Sequence, residues 1–491
     1  MDVRAEGDNF ILMAAETNTP RTDPIQAGDG LLDWLFLDFN SYFASVELQE
    51  NPELRGKPVI VIPAATESTC AIAASQEAKK FKIKTGTSIK EAREKCPRVV
   101  CVLARPDVYS DYHRRILREI DRHVPLHKFE SIDEMSCWLI GSMREPANAL
   151  AAARRLKEGV RRNIGECLRC SIGLSTNRFL AKVATDLEKR DGLVILRASD
   201  LPGRLSGMKP EDLPGIGRNM RERLVLAGIH DIPSLWRAPA KQLRQIWGGV
   251  EGERFYCRLH GIEVEVPEND KSSVSHGRVL DADSRSVDQA ELFARRLALK
   301  AASRLRLLKQ LATVISVHAS MEDDSGVEEH MRLPPTNDSV EILHRFSQVW
   351  QPVRELIGYR RIRQIGVTLH GLMAESQPRQ LDLFGQADGL GPEERARRPR
   401  LSEAMDSINQ KLGPDSITLG VLPQVGGFFA GSKIAFNRVP LEEEFLRDGR
   451  KEISRAQIFY GPVSKTPELS MDARVRRAER RAQLKRTRRT E

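Results

Sequence analysis

The pattern of hydrophobic and polar positions changes several times along the chain. Residues 1–30 are polar and lack periodicity, which predicts a flexible leader. From residue 31 to about 200, short apolar runs alternate with segments of helical period, a pattern typical of an α/β or α+β domain. Residues 201–262 predict a small all-helical domain with turn glycines. After a polar linker at 263–273, residues 274–373 predict a sheet backed by two helices.

Individual elements follow from the same periodicities. The apolar runs predict strands at residues 34–38, 59–63, 99–103, 129–132, 171–174, 192–196, 275–280, 313–321, 330–333, 362–369 and 416–419. The helical period predicts helices at residues 41–50, 71–81, 88–95, 109–123, 147–163, 178–187, 288–309, 339–356 and 402–412. Two of the predicted strands end in acids. Asp38 closes the first, and Asp133 with Glu134 follows the strand at 129–132.

Composition restricts the class of protein. A chain of 491 residues suggests about three domains. No apolar run approaches the roughly 20 residues that span a bilayer, so we expect a cytoplasmic protein. Seven cysteines, an odd number, do not suggest a disulfide framework and suit a reducing compartment.

The net charge of +9 is concentrated at the C-terminus, where residues 472–491 hold nine basic and three acidic side chains. We therefore expect a basic, disordered tail over residues 461–491, which either binds DNA nonspecifically or serves only as a soluble tail.

Three acids at strand ends are candidate metal ligands. Carboxylates of Asp38, Asp133 and Glu134 that converge at a sheet edge suit two hard divalent cations such as Mg²⁺. The alternative is that they are ordinary surface acids, since the chain has 68 of them.

The sequence around these acids decides between the two interpretations. Residues 38–47 (DFNSYFASVE) and 131–134 (SIDE) resemble the two catalytic motifs of the Y-family, or translesion, DNA polymerases, and specifically the bacterial DNA polymerase IV branch. Residues 171–182 and 189–192 resemble the third palm motif of that family. The resemblance extends from about residue 31 to 373.

The resemblance implies a multidomain α+β fold, a right-hand polymerase with an added domain. Its expected parts are a palm, fingers, a helical thumb with a helix-hairpin-helix, and a little finger of one β-sheet plus two helices. The implied limits are palm 31–58 and 104–200, fingers 59–103, thumb 201–262, linker 263–273, little finger 274–373, clamp-binding linker 374–397 and C-terminal extension 398–460.

The resemblance also implies roles for the acids. Asp38 and Asp133 would bridge two Mg²⁺ ions, Glu134 would complete the ion that activates the primer 3′-hydroxyl, and the backbone carbonyl of Phe39 would add a ligand. The implied activity is template-directed, error-prone addition of deoxynucleotides to a primer on damaged DNA.

Other positions match the family's nucleotide site. Phe43 stands where an aromatic ring excludes the 2′-hydroxyl of a ribonucleotide; the alternative is a core residue on an amphipathic helix. Gln76 and Lys79 replace the Tyr and Arg with which the fingers usually grip the triphosphate. Lys79 can neutralise a phosphate but lacks the bidentate fork of Arg. Lys182 matches a basic position expected to contact the triphosphate.

Further positions imply contacts with DNA and with a partner protein. Gly215 and Gly217 in Leu-Pro-Gly-Ile-Gly match a helix-hairpin-helix that binds DNA phosphates, and Arg178 matches a DNA-binding position. Residues 380–384 (QLDLF) resemble the peptide that binds the bacterial sliding clamp, with Gln380, Leu381, Leu383 and Phe384 as its contacts. We expect a monomer.

Two rival functions remain at this point. One is a low-fidelity repair polymerase without lesion bypass, and the other is a noncatalytic scaffold that binds the clamp and DNA for another polymerase. Retention of Asp38, Asp133 and Glu134 argues against the scaffold.

Overall fold

The computed structural model describes residues 30–67, 69–264, 272–376, 392–412, 416–421 and 455–463. Its strands, in chain order, are β1 Trp34–Phe39, β2 Val59–Ile62, β3 Ala73–Ala74, β4 Val100–Leu103, β5 Leu126–Phe129, β6 Glu134–Trp138, β7 Cys170–Ser175, β8 Leu193–Leu196, β9 Ser273–Val279, β10 Gln310–Met321, β11 Gly326–Thr336, β12 Ile362–His370, β13 Met373–Ala374 and β14 Ile458–Phe459.

The α-helices, in the same order, are α1 Tyr42–Glu50, α2 Gln76–Lys79, α3 Ile89–Lys95, α4 Pro106–Asp121, α5 Pro146–Gly159, α6 Arg178–Leu187, α7 Arg218–Leu226, α8 Ile232–Arg237, α9 Ala240–Trp247, α10 Val250–Leu259, α11 Val287–Leu307, α12 Ser339–Ile357 and α13 Pro392–Leu412. None of the helices in these described ranges is long and apolar enough to cross a membrane.

The first sheet has the strand order β5-β6-β1-β7-β8. Its central strand β1 is apolar on both faces, as a strand between two layers of helices must be. Trp34 and Phe36 pack with Ala181 of α6 on one face. Leu35 and Leu37 point to the other face, into a core shared with α4 and α5. Both neighbours of β1 run antiparallel to it, so the end of β1 lies beside the start of β6.

A smaller sheet has the strand order β14-β4-β2-β3. Its strands β2, β3 and β4 belong to the segment predicted as the fingers. The helix predicted at 71–81 is wrong in its first half, because β3 pairs antiparallel with Ile60 and Val61 of β2. Alanine fits a helix or a buried strand, and the pairing overrides its helical propensity. The helix α2 begins only after Ser75, whose hydroxyl caps it by accepting from the Ala78 amide.

The third region is all-helical, as predicted, and contains α7 to α10. Its apolar side chains, among them Leu213, Ile216 and Leu243, share a core with Leu180 of α6 and Leu196 of β8. The all-helical unit is therefore packed directly against the first sheet and its helix α6.

A four-stranded antiparallel sheet, β11-β10-β12-β9, forms the next region, and β13 pairs with one end of β10. Helix α11 packs on β9 and β12, while α12 packs on β10 and β11. Together they bury one core that includes Phe293 and Trp350. The predicted sheet backed by two helices is confirmed.

The C-terminal part departs most from prediction. Helix α13 begins ten residues before the predicted residue 402. The strand predicted at 416–419 is wrong, because the backbone N–H and carbonyl of Ile417 pair with the side chain of Asn409 instead of with another strand. Strand β14 was not predicted, and residues 461–463 of the expected disordered tail are packed on the second sheet, with Val463 buried.

Candidate active site

The three candidate acids meet at one edge of the first sheet. Asp38 lies directly opposite Glu134 in the antiparallel register of β1 and β6. Asp133 immediately precedes Glu134, and its carbonyl accepts a hydrogen bond from the Phe39 amide at 2.9 Å. The register of the sheet therefore brings two sequence segments that are about a hundred residues apart to one place.

One detail of the prediction is wrong. Residues 129–132 do not form the strand that delivers the acids. The strand before the acids is β5, which ends at Phe129, and the strand that follows Asp133 is β6, which begins at Glu134. The intervening turn closes through hydrogen bonds from the amides of Glu130 and Ser131 to the Glu134 carbonyl. The acids still reach the expected edge, because the start of β6 is adjacent to the end of the antiparallel β1.

A lysine neutralises two of these carboxylates. Lys182 on α6 places its Nζ 2.5 Å from Oδ2 of Asp38 and 2.7 Å from Oε1 of Glu134, with Oδ1 of Asp186 at 3.9 Å. Burial opposes the charge on the ammonium, but the carboxylates of Asp38, Asp186 and Glu134 outweigh it and raise the pKa of Lys182. The sequence predicts that Lys182 contacts a triphosphate. In the structure its ammonium contacts Asp38 and Glu134.

The pKa of the Asp133 carboxyl group is raised. Burial raises its pKa to about 6, the hydroxyl of Ser131 opposes this by donating a hydrogen bond to Oδ1 at 2.7 Å, and the charges of Asp38 and Glu134 add to the rise. A carboxylate that is buried beside two others lacks compensating positive charge, and such a group is typical of a functional site.

The donor chemistry of the cluster suits a hard cation. Carboxylate oxygens, without sulfur or imidazole, are the ligands that Mg²⁺ prefers. Across the described residues, no group of three or more His, Cys, Asp or Glu side chains is arranged to hold a metal ion. Between Asp38 and Glu134 lies the ammonium of Lys182.

Phe43 lies in the first turn of α1 and is buried, with 3% of its surface exposed. Its ring stacks on that of Tyr109, with centroids 4.6 Å apart. This packing is what the core alternative predicts, and it also holds the ring rigidly, as a steric barrier would require. The two roles for Phe43 both fit the geometry.

Sequence analysis missed the network that holds Tyr109 and α1 in place. The Glu47 carboxylate is fully buried and receives two hydrogen bonds from the Arg105 guanidinium, at 2.7 and 3.0 Å. The Tyr109 hydroxyl donates a third, at 2.8 Å. The available signal was an acid placed on the same helix as Phe43 and Val46, both core residues, since a buried carboxylate requires a partner.

The predicted triphosphate residues of the fingers face the palm. The Gln76 amide lies 3.4 Å from the hydroxyl of Ser41, which directly precedes α1. Burial lowers the pKa of Lys79, the nearby Lys189 lowers it further, and Asp38 opposes both. The ammonium of Lys79 is therefore close enough to Asp38 to feel its charge.

The predicted DNA-binding glycines lie on an exposed turn before α7. Leu213 and Ile216 anchor the turn in the core. Gly215 has φ +89°, and a Cβ added at Gly215 or Gly217 would meet nothing within 4 Å. The backbone is thus open to close approach by a polyanion. By contrast, the guanidinium of Arg178 pairs with Glu130 at 2.9 Å.

Comparison with known proteins identifies the family. The model of the impB/mucB/samB family matches residues 37–186, and the model of its C-terminal domain matches residues 271–383. DNA polymerase IV of Moorella thermoacetica is 32% identical over 413 residues, which cover 81% of this chain and 98% of that protein. The chain belongs to the DNA polymerase IV branch of the Y-family DNA polymerases.

Other members agree with this assignment. DNA polymerase IV 1 of Bacillus subtilis is 27% identical over 395 residues, covering 78% of this chain and 91% of that relative. Among solved structures, a Y-family DNA polymerase chimera of Dbh and Dpo4 matches with a TM-score of 0.60 and 24% identity, over 70% of this chain and 99% of the chimera. The predicted polymerase fold class is confirmed.

The family match can be placed on the structure of this Y-family member. The first matched segment contains Asp38, Asp133, Glu134 and Lys182, and the second spans the sheet with α11 and α12. The predicted clamp-binding residues 380–384 lie outside the described residues. The domain limits set out above also stay predictions.

Proposed function

We propose that this chain is a template-directed, error-prone DNA polymerase that performs translesion synthesis and DNA repair by adding deoxynucleotides to a primer 3′ end. The observation that carries the proposal is the placement of Asp38, Asp133 and Glu134 at one edge of the palm sheet in a chain of the DNA polymerase IV family. A scaffold that had lost catalysis would have no need of three acids at this edge.

Asp38, Asp133, Glu134 and the Phe39 carbonyl would hold two Mg²⁺ ions. When bound, the ions lower the pKa of the primer hydroxyl and neutralise charge on the departing pyrophosphate. The protein's own contribution is positional. Ser131 fixes the Asp133 carboxylate through its hydrogen bond, and the sheet register fixes Asp38 opposite Glu134.

The incoming nucleotide would lie between the palm and the fingers. We assign Gln76, Lys79 and Lys182 to the triphosphate, since two ammonium groups offset its negative charge. In support, Gln76 lies beside Ser41, which precedes α1, and Lys182 contacts Asp38. Phe43 would lie beneath the sugar, where its ring leaves no space for a 2′-hydroxyl. The support for this role is the rigid stacking of Phe43 on Tyr109.

The contacts that hold primer-template DNA would lie away from the three acids. The exposed backbone of Gly215 and Gly217 offers amides to a phosphate, and Arg178 is assigned to the same strand contacts. Gln380, Leu381, Leu383 and Phe384 are assigned to a bacterial sliding clamp, which would keep a monomeric cytoplasmic polymerase at the primer end.

Primer extension on undamaged and lesion-bearing templates tests the proposal. We expect wild type to extend both, with the Asp133→Asn variant extending neither. Asp288→Asn, which changes an exposed acid paired with Arg354 on the little finger, is the matched control. Extension of the undamaged template alone would favour a repair polymerase without lesion bypass. Extension of neither template by wild type, with DNA binding retained, would favour the scaffold.

A further inference from the structure

The C-terminal residues 455–463 lie on the fingers sheet as an added strand. Strand β14 pairs antiparallel with β4, with Ile458 opposite Val102 and Phe459 opposite Cys101. The Leu103 amide donates to the Gln457 carbonyl at 3.0 Å. We call residues 455–463 the docking strand.

The edge that the docking strand covers is apolar. Val100, Cys101 and Val102 of β4 are all buried, and on the opposite side β4 pairs with β2. Without the docking strand, the sequence Val-Cys-Val-Leu would form an uncovered sheet edge with unpaired backbone groups. Proteins normally protect such edges with charges, bulges or a covering segment. Here the covering segment comes from the far end of the same chain.

Neighbouring side chains of the docking strand enter two different cores. Ile458 packs with Leu54, Val59, Val100 and Val102 on one face of the sheet. Phe459 and Val463, both under a tenth exposed, enter the core on the other face. That second core also contains Ala74 and Ala78, the latter within α2. The docking strand and the helix that carries Gln76 and Lys79 therefore share one apolar core.

Polar contacts fix the end of the docking strand. Arg93 donates to the Gly461 carbonyl at 2.6 Å and holds both oxygens of Glu67 at 2.8 Å. Glu67 in turn accepts a hydrogen bond from the Val463 amide. Lys57 lies over the ring of Tyr460, 5.2 Å from its centroid. Peptides that bind by strand addition combine backbone pairing with side chains that enter apolar pockets, and the docking strand has both features.

A second part of the C-terminal region is attached to the little finger. Arg306 of α11 makes a bidentate ion pair with Asp406 of α13, at 2.7 and 3.0 Å. The Ser402 hydroxyl donates to Asp338 at 3.0 Å and accepts from the Ser339 amide at 3.2 Å. The chain is thus bound at α13 to the little finger and at the docking strand to the fingers.

We propose that residues 455–463 act as a cis-acting docking strand that completes the nucleotide-binding fingers. The surface formed by β4, Glu67 and Arg93 is a strand-addition site, and its partner is this chain's own C-terminal segment. The part of the inference that concerns nucleotide binding rests on the proposed function. The docking itself does not.

Two shortened chains test the docking. A chain that ends at residue 454 lacks the docking strand, and its matched control ends at residue 463 and lacks only the tail. Hydrogen exchange at the Leu103 amide should accelerate by at least about tenfold in the first chain and remain unchanged in the second, because this amide loses its acceptor, the Gln457 carbonyl. Equal exchange in both chains would overturn the proposal.

A labelled peptide of residues 455–463 gives an independent measurement. It should bind the chain that ends at 454 and should bind the full chain at least about tenfold more weakly, because the tethered strand already occupies the edge at high effective concentration. A peptide with Phe459→Ser should not bind. Equal binding to both chains, or to neither, would contradict the proposal, and concentration-dependent dimers of the full chain would show strand exchange between copies instead.

The link to the nucleotide is tested last, with point variants of the full chain. Phe459→Ser should raise the KM for deoxynucleotides by at least about threefold, because the core that Phe459 shares with α2 is disturbed, while Arg455→Ser, at an exposed position of the same strand, should leave the KM unchanged. If the exchange and peptide results hold but the KM does not move, the docking strand stands and its link to the nucleotide fails. If no variant polymerises, the proposed function fails instead, and the binding measurements still decide the docking.

Discussion

The palm contains two groups in which a cation pairs with carboxylates, and they differ in burial and in geometry. Glu47 and Arg105 are almost fully buried and form a bidentate pair with Tyr109 as a third partner. Lys182 divides one ammonium between Asp38 and Glu134, and these side chains keep 17%, 21% and 29% exposure. A planar fork in a dry environment fixes a geometry. A single ammonium shared between two partly exposed acids can be replaced by another cation or can turn to a phosphate.

The two groups therefore have different roles: the buried pair stabilises the fold, and the more exposed group serves the chemistry of the site. Removal of one partner from the buried pair leaves an uncompensated charge in the core, so its cost appears in stability. Changes at the exposed group leave charges that water can solvate, so their cost appears in activity.

The largest expected effect is at Asp133, which lies next to the Lys182 group. Asp133→Asn removes a partly buried carboxylate next to Asp38 and Glu134. We expect nucleotide addition to fall by at least about a thousandfold, which corresponds to several kcal/mol of lost charge stabilisation. Affinity for primer-template DNA should stay within about twofold, since the thumb and little finger are unchanged. Single-nucleotide incorporation and fluorescence anisotropy measure the two quantities. Wild-type incorporation by this variant would remove Asp133 from the catalytic set.

The next effect contrasts the two groups in stability. Arg105→Met strands the Glu47 carboxylate in the core and should lower the free energy of unfolding by about 3 kcal/mol. Lys182→Met should lower it by about 1 kcal/mol or less, because Asp38 and Glu134 reach solvent. Urea unfolding of both variants measures this. Equal losses would show that the two groups are energetically alike and would break the comparison.

A buried histidine of the palm, His113, is expected to make the stability of the protein depend on pH. Burial lowers the pKa of His113 to about 4, against a hydrogen bond of 2.9 Å from Nδ1 to the Ile132 carbonyl. The unfolded chain protonates first, so this stabilisation is complete above about pH 6.5 and is lost as the pH falls toward 4. Between pH 7.5 and 5, wild type should lose about 2 kcal/mol more stability than His113→Gln, as measured by urea unfolding. Parallel pH profiles would contradict this.

A fourth prediction decides between the two roles of Phe43. Phe43→Ala should raise the ratio of ribonucleotide to deoxynucleotide kcat/KM by at least about tenfold, because space opens where the 2′-hydroxyl would lie. The ratio cancels any general loss of activity from the disturbed core. Tyr109→Phe, which keeps the stacked ring but loses the hydrogen bond to Glu47, is the control and should leave the ratio unchanged. An unchanged ratio in Phe43→Ala would assign the ring to the core alone.

The sequence was sufficient where the determinants are local. The acids Asp38, Asp133 and Glu134 could be singled out because each stands in a short motif beside an apolar run, and helix α6 matches its predicted bounds because its period is unbroken. The polymerase architecture followed from the order of such motifs.

Contacts between distant segments could not be predicted in this way. Nothing near Lys182 indicates that its ammonium rests on Asp38 from another strand, and Ala73 and Ala74 become a strand only because β2 is beside them. The docking strand is the extreme case. Its pairing with β4 joins residues more than 350 positions apart, and no local period marks it.

The most direct test of the central claim is single-turnover incorporation of one deoxynucleotide opposite a template lesion, measured as Mg²⁺ is varied. We predict no incorporation after chelation of divalent cations, full recovery on addition of Mg²⁺, and a dependence on Mg²⁺ concentration steeper than that of one ion, in wild type but not in Asp133→Asn. Incorporation that persists without divalent cations, or that is unaffected by Asp133→Asn, would contradict a two-metal site at this edge of the palm.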